Sequence, residues 1–116
     1  MKCTMLGTGH AMVTELYNTC FILEENGEYF LTDGGGGNRL LKQLSEAHIN
    51  ITDIRTVFVT HKHTEHIMGI VWYLRVMCQS MSRGKVTGEA TVYAHEEVIG
   101  ILRSMITMVL DAKDLV

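Results

Sequence analysis

A chain of 116 residues has room for one domain and one core of moderate size, and 47% hydrophobic against 20% charged residues is the balance of a globular protein, not of a disordered tail. The net charge of −3 argues against the basic face that a broad nucleic-acid footprint needs. The longest apolar stretch, residues 67–74, is interrupted by Gly69 and closed by Arg75, far short of a membrane span. The opening Met1-Lys2-Cys3-Thr4-Met5-Leu6-Gly7 lacks the apolar run and small-residue cleavage site of a secretory signal, so a cytoplasmic location is expected. Cys3, Cys20 and Cys78 are odd in number, far apart and without CxxC spacing; they read as buried free thiols of a reducing compartment.

In chain order, residues 2–6 predict a short first strand, followed by the Gly7-Thr8-Gly9 turn and a loop to Tyr17. Residues 18–24 alternate weakly and predict a second strand, and Asn26-Gly27 between two apolar, β-prone runs is a hairpin signal. The third strand, residues 29–32, ends at Asp33, after which Gly34 to Gly37 allow positive φ or a close approach to another segment. Leu40, Leu41 and Leu44 mark one helical face over residues 38–47. Residues 53–60 predict a fourth strand, whose Val57-Phe58-Val59 run suggests burial on both faces. A second helix over 64–80 carries Ile67, Ile70, Val71, Leu74, Met77 and Cys78; a fifth strand follows at 90–94 and a last helix at 96–114. Strands first, then alternating helix and strand, predict an α/β (α+β) domain, a mixed sheet with helices on one face. There is no proline, so helix ends rely on glycine and polar caps.

The chemistry concentrates in Thr60-His61-Lys62-His63-Thr64-Glu65-His66, three imidazoles and a carboxylate directly after an apolar strand. Neutral imidazole and carboxylate are the donors that suit zinc, iron or manganese at a catalytic site. His61 and His63, two apart in a tight turn, can both point inward to one ion, with Glu65 and His66 facing a second position, as two-metal hydrolysis requires. The competing reading is a solvated polar loop whose histidines cap the second helix, with Glu65 a first-turn carboxylate favoured by the helix dipole.

His61-Lys62-His63-Thr64-Glu65-His66 resembles the HxHxDH signature of the metallo-β-lactamase superfamily, with Glu65 at the usual aspartate position. Leu6-Gly7-Thr8-Gly9 resembles the opening strand and turn of that fold, most like its ribonuclease Z branch, and Phe30-Leu31-Thr32-Asp33-Gly34-Gly35 resembles the strand that ends in the family's structural aspartate. The resemblance implies the N-terminal half of an αββα sandwich, so that residues 1–116 form a single partial domain whose C-terminal half is absent. It implies a metal-dependent hydrolase that uses a metal-activated water, with one or two divalent ions, zinc first and manganese or iron as alternatives. His61 and His63 would belong to the first metal site and Glu65 and His66 to the second; Glu65 would also orient or deprotonate the attacking water. Asp33 would brace the histidine turn from behind, or else form an ordinary strand-end turn. His10 would lie near the substrate, or else be a surface loop histidine.

The resemblance implies a phosphodiester, other ester or lactam as substrate, tilted toward phosphodiesters by the Gly-Thr-Gly start, although the net charge does not support nucleic acid. The later ligands of the family are missing, so this chain alone is expected to lack the full ligand set. The alternative is a non-catalytic half-domain that self-associates through its exposed sheet face, as a homo-oligomer or with the missing half.

Overall fold

The computed structural model describes residues 1–9 and 16–110, and of Glu65 the backbone but not the side chain. His10 therefore lies outside the described residues. The strands β1 (Lys2–Gly7), β2 (Cys20–Glu25) and β3 (Glu28–Thr32) form an antiparallel meander. Its hairpin turn places Asn26 at φ 53 and Gly27 at φ 79, the left-handed pair that matches the twist of the flanking strands. Strand β4 (Ile54–Phe58) joins parallel to β3, and β5 (Thr91–Tyr93) parallel to β4, giving a five-stranded mixed sheet in the order β1-β2-β3-β4-β5. The parallel pairs need crossovers, which α1 (Arg39–Glu46) and α2 (Thr64–Ser82) supply; α3 (Glu96–Val109) follows β5.

Register decides which side chains share a face. Ile22, Leu31, Val57 and Val92 form one row across β2 to β5, and the first three are fully buried. They pack with Leu40 and Leu44 of α1, Ile67, Ile70, Tyr73 and Met77 of α2, and Val98 and Leu102 of α3 in a single core. All three helices therefore cover the same face, as the element order predicts. Two rows look the other way: Met5, Phe21, Thr32, Phe58 and Tyr93, and Cys3, Leu23, Phe30, Thr56 and Thr91. No helix among the described residues packs on them, and Met5, Phe58 and Tyr93 stay 50%, 40% and 55% exposed.

Three expectations are corrected. The run Val57-Phe58-Val59 is not buried on both faces: Val57 and Val59 are in the core, but Phe58 points to the open face. Cys20 is buried, whereas Cys3 is exposed because it sits on the edge strand facing away from the helices, and Cys78 is half-buried. The last helix ends at Val109, with Leu110 extended at ψ 148, and the rest of the expected span to residue 114 lies outside the described residues.

Candidate metal centre

Strand β4 delivers its last residues to the carboxyl edge of the sheet, where parallel strands of α/β proteins place their sites. Val59 still pairs there, its N–H donating to Tyr93 O at 3.0 Å. Thr60 to His63 then turn, and His63, extended at φ −66 and ψ 152, is the N-terminal boundary residue of α2. His61 and His63 thus lie in the turn, and Glu65 and His66 in the first turn of the helix.

The turn brings the three imidazoles together. His61 Nε2 lies 3.2 Å from His63 Nδ1. The ring centroids of His61 and His63 are 4.6 Å apart, edge to face, and those of His61 and His66 are 3.9 Å apart. Both turn histidines are exposed, while His66 is half-buried. Among the described residues no group of three or more histidine, cysteine, aspartate or glutamate side chains is arranged to hold one ion. The cluster is a pair of nitrogens with a third ring against them.

Asp33 stands directly behind this cluster. It takes the left-handed φ of 58 and donates its N–H to Phe58 O at 2.8 Å, which ties the end of β3 to the end of β4. Asp33 is 5% exposed, and both oxygens of its carboxylate are engaged. Thr60 N–H donates to Oδ1 at 2.7 Å, the Thr60 hydroxyl donates to Oδ2 at 2.7 Å, and His66 Nδ1 lies 2.8 Å from Oδ2. One side chain therefore holds both the start of the histidine turn and the ring of His66.

The glycine loop after Asp33 is a packing device. Gly34 N–H donates to His66 O and Gly69 N–H to Gly35 O, each at 2.9 Å, so the first turns of α2 lie directly on the loop. A Cβ at Gly69 would stand 1.8 Å from Gly34 O, so only glycine permits this approach. On the loop's other side the hydroxyl of Tyr17, a residue 7% exposed, donates to Gly34 O and lies 2.8 Å from Gly37 O. Burial pushes that phenol up to about 12, so it stays a donor at any ordinary pH. Lys62, between the two turn histidines, pairs with Glu97 at 2.6 Å and holds that carboxyl below its usual range. His95 caps α3, its Nδ1 accepting from Glu97 N–H at 3.1 Å. Sequence reasoning gave Thr60, Tyr17 and Gly69 no role at the site; the one available signal was Gly69, a glycine inside an apolar helical stretch.

The family profile described as "Anti-Pycsar protein Apyc1" matches residues 1–110. The chain belongs to the Anti-Pycsar protein Apyc1 family. This Apyc1-family chain is also similar to a ribonuclease Z of Methanococcus maripaludis, 28% identical over 109 residues, 93% of this chain and 33% of that protein. A second ribonuclease Z, from Methanothermobacter thermautotrophicus, is 36% identical over 78 residues, 66% of this chain and 25% of that protein. The chain thus spans about a third or less of these relatives. Among solved structures it is similar to human tRNase Z, short form, with a TM-score of 0.78 and 22% identity over 93% of this chain and 39% of that one. The metallo-β-lactamase fold protein YhfI of Bacillus subtilis gives a TM-score of 0.69 at 16% identity, covering 96% of this chain and 43% of that one.

The fold is accordingly that of the metallo-β-lactamase superfamily, and the ribonuclease Z-like resemblance of the sequence holds. The inference from charge against nucleic acid sits at odds with relatives named for cleaving RNA. A net charge taken over a third of such a protein's length does not report the surface the rest of it offers. No helix among the described residues is long and apolar enough to cross a membrane.

Proposed function

We propose that residues 1–116 carry the metal-binding turn of a metal-dependent hydrolase acting on phosphodiesters. The carrying observation is the convergence of His61, His63 and His66 at the carboxyl edge of the sheet, backed by the buried Asp33. Two nitrogens bound at 2.0–2.1 Å to one tetrahedral zinc stand about 3.3 Å apart, and the 3.2 Å between His61 Nε2 and His63 Nδ1 fits that spacing. The nitrogen-rich donor set favours zinc over manganese or iron. Asp33 occupies His66 Nδ1, which fixes that ring's tautomer and assigns Nε2 as its ligating atom, the usual device behind a metal-bound histidine.

One or two divalent ions held here would supply Lewis acidity and a water of lowered pKa. Glu65, the carboxylate of the signature, is assigned to the second ion and to proton handling at the attacking water. Catalytic sites use three protein ligands, so the pair His61 and His63 is completed from outside the described residues, by the remainder of a larger hydrolase domain or by a second copy. The substrate class is supported by relatives named ribonuclease Z, a name that denotes cleavage of a phosphodiester.

A second reading rests on the open sheet face. Met5, Phe58 and Tyr93, continuous with Phe21 and Phe30, form an apolar surface of the kind that marks an interface. On this reading the chain is a non-catalytic half-domain that self-associates through that face.

Both readings are separated by turnover of bis(p-nitrophenyl) phosphate and of a chromogenic β-lactam after zinc addition, with sedimentation measured alongside. With the ligand set completed, by the remainder of a larger hydrolase domain or by a second copy, phosphodiester turnover that disappears in His61→Ala/His63→Ala is expected. Turnover of the lactam alone overturns the substrate class, and self-association without any turnover favours the second reading.

A further inference from the structure

The glycine loop that bonds to His66 and Gly69 on one side bonds to Tyr17 on the other. The Tyr17 ring packs against Gly35, where a Cβ would meet ring carbons at 2.4 Å, and Gly35 holds a left-handed φ of 72. The phenol oxygen sits among three polar groups of the loop: it donates to Gly34 O, lies 2.8 Å from Gly37 O and accepts from Gly37 N–H at 3.3 Å. From that loop, Gly34 N–H grips the carbonyl of His66, and Gly35 O receives Gly69 N–H. The residue before the loop is Asp33, whose carboxylate holds the ring of His66 and the amide of Thr60. One loop therefore sets the backbone and the ring of the same histidine, and one side chain pins that loop from the far side. Tyr17 itself is anchored independently, because its carbonyl accepts Gly9 N–H at 2.7 Å.

We infer that Tyr17 is a positioning residue for the imidazole cluster, acting through the Gly34–Gly37 loop on Asp33 and His66. This rests on the metal-binding reading above only for its consequence in affinity; the mechanical linkage stands on the hydrogen bonds alone. The rings must hold their spacing to within about half an ångström for an ion to be gripped. A loop clamped on both sides, by Tyr17 and by the close pass of Gly69, removes the freedom that would blur that spacing. The phenol's hydrogen bonds run to the loop, so its role is to position and not to react.

The variant is Tyr17→Phe, which keeps the ring on Gly35 and deletes only the hydroxyl. Its control is Tyr73→Phe, which deletes another buried hydroxyl, bonded at 2.5 Å to Ile54 O in another part of the core. Two readouts are taken on the whole chain: the His66 ring 15N–1H signals together with Gly34 and Gly69 amide exchange without metal, and zinc affinity per folded molecule. Tyr17→Phe is expected to broaden or shift the His66 ring signals, to speed exchange of both amides at least tenfold, and to weaken zinc about tenfold, the loss typical of a residue behind a ligand. Tyr73→Phe is expected to lower the melting temperature while leaving all of these unchanged. Unchanged His66 signals and unchanged zinc affinity in Tyr17→Phe overturn the inference, even if the melting temperature falls. Should Tyr17→Phe not fold, Gly69→Ala loosens the clamp from the other side with Tyr17 intact, and normal His66 signals there overturn it equally. A wild-type chain that binds no zinc defeats the metal reading, while the metal-free signals still decide the role of Tyr17.

Discussion

The two faces of the sheet are made by the same strands and differ in almost everything else. Leu31 is fully buried among three helices, while Phe30, its neighbour in β3, looks out with Phe21 and Leu23. The helix-covered face carries the core and hence the stability; the open face is nearly as apolar but has no cover among the described residues. The histidine turn lies where the sheet's carboxyl edge meets the first turn of α2, so its shape is inherited from the covered side. The lesson is that the residues that form the core and those that line the open face are interleaved one by one along the same strands.

The largest expected effect breaks the covered face. Leu31→Ala should cost about 2–5 kcal/mol in urea unfolding, because the site is closed on all sides and cannot collapse. Phe30→Ala, one residue away, should cost clearly less; equal losses would mean the open face is as tightly packed as the other. Next comes Asp33→Asn, which keeps the shape but weakens the charge that Thr60 and His66 rely on. Zinc affinity should fall by about 10–100-fold, read by titration calorimetry.

Alkaline pH sharpens the same contrast. Burial pushes Cys20 from 9.0 to about 12, and Tyr17 and Tyr73 from 10.0 to about 12. All three folded-state values are raised, so their neutral forms stabilise the native state fully below about pH 9. Above it the unfolded chain releases protons that the native one keeps, and stability should decline steadily toward pH 12. Denaturant midpoints measured across that range check it; a flat profile would place these groups in water. The smallest effect is Phe58→Thr on the open face, expected to change stability within about 0.5 kcal/mol while shifting any self-association seen in sedimentation toward monomer.

Much of this was legible in the residues. The Asn26-Gly27 turn, the alternation that sends Ile22 and Leu31 inward, and the helical stripe of α2 are local signals, and each fixed its element within a few residues. The end of α3 was not, because nothing in Val109-Leu110-Asp111 breaks a helix by propensity. Phe58 misled for a different reason: a continuous apolar run cannot say whether the second face is covered. At the site, the histidine cluster was readable because ligand-type side chains concentrate in six residues. Thr60, Tyr17 and Gly69 act across 27, 17 and 34–35 residues of sequence through backbone bonds, and neither composition nor periodicity carries that information.

The central claim is that the turn from His61 to His66 holds a metal ion. Zinc per chain, measured by mass spectrometry after dialysis against metal-free buffer, tests it most directly, with His61→Ala/His63→Ala alongside. The account predicts about one or two ions per chain in the wild type and none in the double variant; equal zinc in the two proteins would contradict it.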